Sequence, residues 1–132
     1  MTRPRVRHAL KGLGPGGAER LVVAQASRHA ATDDVVYLLP GKRHLVPLLD
    51  AAGVAHECLR APSTARIGWL WRLRRGLIDR PVDIVHAHSP VVAAAARLLV
   101  HTVPRRIRPV VVSTEHNRWP RHHRLTLSLI HI

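Results

Sequence analysis

Five short apolar runs alternate with segments of helical spacing, and no hairpin turn signal joins any two of the runs. Parallel strands need a crossover of a dozen or more residues, usually a helix, whereas antiparallel neighbours can be joined by two. This alternation therefore predicts an α/β fold with a doubly wound parallel sheet, of order 3-2-1-4-5, in a chain of 132 residues.

The first run, Val6–Leu10, is a poor but possible first strand, interrupted by Arg7 and His8. Residues 18–30 follow with apolar positions 18, 21, 22, 24 and 26 on roughly one helical face, and Glu19 in the first turn suits the helix dipole. The run 34–39 is continuously apolar after Asp34 and stops at Pro40-Gly41, as expected of a strand buried on both faces. A helix over 44–52 is closed by Gly53 in the C-terminal capping position, and 54–59 is a more exposed, alternating strand. From Ile67 to Asp79 the spacing predicts an amphipathic helix, with Ile67, Leu70, Trp71, Leu77 and Ile78 on one side and Arg72, Arg74 and Arg75 around the other. Strand 82–87 runs into Ser89, a helix cap, and Pro90, a residue suited to the first helical position. An alanine-rich helix over 91–100, a basic connection over 104–109 and a last strand over 110–114 complete the pattern.

Composition narrows the class. No 18 consecutive residues are apolar, so no transmembrane span is expected. The basic start is followed by a glycine loop rather than by the apolar core of a secretory signal, and Cys58 is alone. The expected setting is cytoplasmic, at most peripheral to the inner face of the membrane. The formal charge of +13 would suit a polyanion, but 19 of the 21 basic residues are arginines spread along the chain, and Phe is absent. With no aromatic-interleaved basic motif, specific nucleic-acid binding is not expected, and the arginine excess fits codon bias in a GC-rich genome.

Four of the eight glycines sit in Gly12-Leu13-Gly14-Pro15-Gly16-Gly17-Ala18-Glu19, between the first strand and the first helix. Without Cβ atoms such a loop lets ligand oxygens approach backbone N–H groups, and the helix start adds unpaired N–H groups with positive dipole character. A phosphate or diphosphate fits there; so does a plain tight turn with no ligand. Gly12, Gly14 and Gly17 match the spacing of a dinucleotide fingerprint, but the strand ending Leu38-Leu39-Pro40 lacks the acidic residue that would meet a ribose. Gly12 and Gly17 also match a P-loop frame, yet Ala18-Glu19 stand where lysine and Ser/Thr are needed.

Sheets of this kind bind ligands beyond the carboxyl ends of their strands, beside the point where strand order reverses. Three polar clusters fall there: the glycine loop, His86-Ala87-His88-Ser89, and Glu115-His116-Asn117. His86 and His88, two apart, could turn both rings to one side and with His116 form a three-histidine metal site, though the spacing does not fix that geometry. The simpler expectation is that His86 is a partly buried hydrogen-bonding residue and that His88 lines a cleft. Glu115 and His116 are neighbours in an extended segment, so only one of the two is expected to face the crevice.

Gly14-Pro15-Gly16-Gly17-Ala18-Glu19-Arg20-Leu21, Asp83-Ile84-Val85-His86-Ala87-His88-Ser89-Pro90 and Ser113-Thr114-Glu115-His116-Asn117 together resemble the N-terminal, acceptor-side domain of family 4 glycosyltransferases of GT-B architecture. The resemblance implies a Rossmann-like domain and transfer of a sugar from a nucleotide-sugar donor to an acceptor, with retention of configuration and with neither a catalytic metal nor a cofactor. It places Gly16, Gly17 and Glu19 against the donor diphosphate and sugar, and His116 facing the donor sugar as the catalytic histidine. His88, with Ser89 and Asn117, is expected on the acceptor side.

Such enzymes carry a second domain that binds most of the donor, and its paired acidic motif does not occur in this sequence. The chain is therefore expected to be a fragment, inactive alone, with a partial acceptor-side domain over 1–126. Residues 127–132 resemble translated sequencing-adapter read-through and are expected to be non-native. Some relatives glycosylate lipid-linked acceptors, so the basic helix from Ile67 to Asp79, with Trp69 and Trp71, is a candidate peripheral membrane contact. The competing reading is a stand-alone Rossmann-like module that binds a nucleotide or phosphorylated ligand without transferring sugar.

Overall fold

The computed structural model describes residues 2–63 and 66–114. Its strands are β1 (Val6–Leu10), β2 (Asp33–Tyr37), β3 (Ala55–Cys58), β4 (Ile84–Ala87) and β5 (Val110–Ser113), and its helices are α1 (Gly17–Arg28), α2 (Val46–Ala52), α3 (Gly68–Asp79) and α4 (Pro90–Leu99). All strand pairs are parallel and the order is β3-β2-β1-β4-β5, as the alternation predicts. The chain has the α/β, Rossmann-like doubly wound architecture.

Helices cover both faces because successive side chains of a strand point to opposite sides. On one face Leu10, Val35 and Tyr37 pack with Val22, Val23 and Ala26 of α1 and Val46 and Leu49 of α2. On the other, Ala9, Val36, Val85 and Ala87 meet Trp69, Leu73 and Leu77 of α3 and the alanines of α4. Ala93 and Ala96 are fully buried, since small side chains let α4 lie close to the sheet.

The helix ends carry the expected signals. Gly53 closes α2 with φ 71°, and its N–H donates to the carbonyls of Leu49 and Asp50. The Ser89 hydroxyl accepts from the N–H of Val92 at 3.2 Å and Pro90 opens α4.

Two expectations are corrected. β1 is the central strand, and its two polar interruptions are buried rather than weakening it: Arg7 is 1% and His8 0% exposed. Arg7 donates to both carboxylate oxygens of Asp34, at 2.8 and 3.0 Å, and to the carbonyls of Gly76 and Arg80 at the end of α3. Four bonds in a fork geometry satisfy the guanidinium and also supply partners for helix-terminal carbonyls.

The second correction concerns α3. Trp69, Leu73 and Leu77, spaced by four, form its buried face, while Ile67 and Trp71 are exposed at 77% and 68%. Residues two apart on a helix sit about 200° apart, so Trp69 and Trp71 cannot both face the sheet. Arg72 and Arg74 are not simply solvated: Arg72 donates to the Leu59 carbonyl at 2.7 Å, and Arg74 donates to Thr102 and lies over the Trp71 ring.

Candidate functional site

At the point where the order reverses, β1 leads to α1 on one face and β4 to α4 on the other, leaving a crevice between their carboxyl ends. A cavity of about 380 Å³ opens there, lined by Leu10, Lys11 and Gly12 after β1, Gly17, Ala18 and Glu19 at the start of α1, and His88 and Ser89 after β4. Residues some 70 positions apart in sequence are thus brought together as the strand-end argument requires.

The glycine loop is held from below. Leu13 is fully buried, its N–H donates to the Lys42 carbonyl at 2.6 Å, and its carbonyl accepts from Leu45 at 3.1 Å. Gly12 is needed for this contact, because a Cβ there would come within 2.6 Å of the Lys42 Cβ. Gly17 is different: a Cβ would meet nothing within 4 Å, so its missing side chain leaves space rather than relieving a clash. Gly16, the extended N-cap, has no side chain to satisfy the first turn of α1, and the Glu19 carboxylate folds back against it. The first N–H groups of α1 have no acceptor within the helix, and Gly16 gives them no side-chain cap.

Three histidines meet beside this crevice. His8 and His86 are register partners on β1 and β4, and their ring centroids lie 5.6 Å apart. His88, one side-chain repeat further, stacks 5.5 Å from His8 and lies tilted 4.0 Å from His86. His8 Nε2 lies 2.9 Å from the carboxylate of Asp33, and its Nδ1 lies 3.2 Å from His88 Nε2. His86 Nε2 is 2.5 Å from the Thr114 hydroxyl. His86 is thus the partly buried hydrogen-bonding residue expected, and His88 lines the crevice.

Asp33 is 2% exposed. Burial alone would push its carboxyl up, but hydrogen bonds from His8, Arg3 and Thr32, with the charge of His8, outweigh burial and hold its pKa below the ordinary 3.8. An ionised Asp33 can only accept, so His8 carries its proton on Nε2 and, when neutral, turns a lone pair on Nδ1 toward His88.

Of the residues proposed from sequence, Gly16, Gly17, Glu19, His88 and Ser89 come together, with Ser89 also capping α4. His116 and Asn117, like Glu115, lie outside the described residues. The sequence reading missed His8 and Asp33. Their signal was a histidine on the same face as Val6 and Leu10 in a strand read as central, which a polar partner on that face would explain.

A doubly wound sheet with a glycine-lined crevice at its switch point is the layout of the Rossmann-like class of α/β proteins. Comparison with known proteins carries this further. The family model for Glycosyltransferase Family 4 matches residues 15–132, and the chain belongs to that family. Among solved structures it is similar to Anabaena HepE, crystallised in complex with UDP, with a TM-score of 0.73 and 15% identity over 96% of this chain. The match covers 34% of the HepE chain, so this sequence spans about a third of that protein's length. No curated protein matches it. Among the described residues no helix is long and apolar enough to cross a membrane.

Proposed function

We propose that this chain supplies the acceptor-side part of a retaining glycosyltransferase that moves a sugar from a nucleotide-sugar donor to a glycan, a lipid-linked acceptor or a small molecule. The observation that carries the reading is the convergence of Gly17, Glu19, His88 and Ser89 on one crevice in a chain of this family. N–H groups at the start of α1, beside Gly16 and Gly17, face the donor diphosphate and stabilise it as it leaves. The Glu19 carboxylate accepts from a sugar hydroxyl, His116 faces the donor sugar, and His88, Ser89 and Asn117 border the acceptor. The transfer needs no cofactor and no catalytic metal, and a second domain encoded downstream binds the rest of the donor. The protein acts in the cytoplasm.

Contact with the inner face of the membrane is part of the proposal. Ile67 and Trp71 are exposed beside Arg74 and Arg75, an apolar and basic patch of the kind that rests on anionic headgroups.

The test is a screen of nucleotide sugars with the chain joined to the sequence encoded downstream. Transfer to an added acceptor is expected, and Gly17→Trp should reduce it about 10²-fold, as loss of a preorganised leaving-group site does. The space around Gly17 makes this variant informative, since the fold accommodates a side chain there. Nucleoside diphosphate binding without transfer of any sugar would favour the binding-module reading. Undiminished transfer by Gly17→Trp would show that the diphosphate lies elsewhere.

A further inference from the structure

We infer that His8, His86 and His88 form a binding site for a divalent transition-metal ion of the zinc class beside the crevice, where His86 and His88 also border a second cavity along α1. One ring nitrogen from each residue lies within 4.8 Å of those of the other two. Imidazole is the side chain that suits zinc, cobalt and nickel, and three imidazoles leave one position open for water or a ligand atom.

The pair whose geometry is best defined already has the bite of such a site. His8 Nδ1 and His88 Nε2 are 3.2 Å apart. An ion about 2.0–2.1 Å from each nitrogen would subtend about 100°, close to a tetrahedral angle. A direct hydrogen bond between the two rings uses the same separation and joins them when no ion is bound, while the surroundings of His8 keep its Nδ1 in the form that can take an ion. Its other nitrogen is held by the Asp33 carboxylate at 2.9 Å, and that carboxylate is anchored in turn by Arg3 and by the Thr32 hydroxyl at 3.0 Å. A carboxylate that fixes the tautomer and orientation of a buried imidazole, leaving its second nitrogen turned inward as a lone pair, is the outer-shell arrangement of histidine-bound metals. His86 repeats it in part, with Nε2 at the Thr114 hydroxyl.

The site ties β1 to β4 on the face covered by α1, next to Gly17 and Glu19, because His88 lines the crevice as well. It stands independently of the sugar-transfer reading, and no step of transfer is assigned to the ion.

The test uses the full chain, stripped of metal with a chelator and titrated at neutral pH with Co²⁺ and then Zn²⁺. One equivalent of Co²⁺ should bind with the intense visible absorption of a low-coordinate ion, and Zn²⁺ should displace it. His86→Ala and His88→Ala should each weaken binding at least about tenfold, and Asp33→Asn about 10–100-fold with the stoichiometry unchanged. His44→Ala and His101→Ala, at exposed positions, should leave it unaltered. Because the chain has eleven histidines, ring ¹⁵N shifts give a second readout that needs no variant to fold: Zn²⁺ should move those of His8, His86 and His88. An affinity weaker than about 0.1 mM, binding retained in His86→Ala/His88→Ala, or shifts confined to other histidines would each overturn the inference.

Discussion

Arg7 and His8 are neighbours on the central strand and both are buried, yet they end in different kinds of environment. Arg7 points to the face covered by α3 and α4, where Asp34 and two helix-terminal carbonyls take all its bonds. His8 points to the α1 face, where Asp33 holds one nitrogen and the other leads through His88 to the crevice. One network closes on itself and the other opens on a cavity. Burial of a polar group in a central strand is thus no guide to its role; the role follows from where its partners lead.

The largest expected effect tests the closed network. Arg7→Ala strands the Asp34 carboxylate and removes a donor from the carbonyls of Gly76 and Arg80, of which Gly76 keeps the Arg80 N–H, and should cost about 3–5 kcal/mol in urea denaturation. The variant Arg7→Met/Asp34→Leu should recover part of this, because no lone charge remains. If Arg7→Ala costs under about 1 kcal/mol, the two networks are not different in kind.

Asp33→Asn probes the open network and should cost about 1–3 kcal/mol, less than Arg7→Ala because the amide oxygen still accepts from His8. Its pH dependence has a definite sign. The folded pKa is depressed, so the contribution of Asp33 is complete above its ordinary 3.8 and is lost as pH falls through the lower folded value. Denaturation midpoints collected between neutral and strongly acidic pH should fall less steeply in Asp33→Asn than in the parent chain.

The smallest pair compares the two ends of the glycine loop. Gly12→Ala pushes a Cβ into Lys42 and should cost about 1–3 kcal/mol. Gly17→Ala enters open space and should change stability by less than about 0.5 kcal/mol. Thermal melts of both variants check the difference; equal losses would mean that the loop is packed throughout and has no open side.

Much of the framework was legible because it is encoded locally. A buried parallel strand must be apolar on both faces, so 34–39 could be read as one; Gly53 marks a left-handed cap and Ser89-Pro90 a helix start. Parallel pairing with right-handed crossovers then leaves few orders for five strands, and the observed order is among them. The crevice followed from the order and from which motifs end at strand termini. For α3 the local pattern was ambiguous. More apolar residues lie between 67 and 79 than one helical face can hold, and only docking on the sheet selected Trp69, Leu73 and Leu77 over Ile67 and Trp71.

The division between the two sources of information follows the range of the forces involved. Strand periodicity, caps and the glycine loop depend on residues a few positions apart, and so the linear sequence carries the α/β class, the crossovers and the place of the crevice. The partners of Arg7 and His8 are 25 to 80 positions away, in Asp33, Asp34, Gly76 and His88. Nothing in the local pattern around a charged residue says which distant carboxylate or ring will meet it. In the sequence these two residues weaken a strand; in the folded chain they are among its most buried, because register brings their partners onto the same faces.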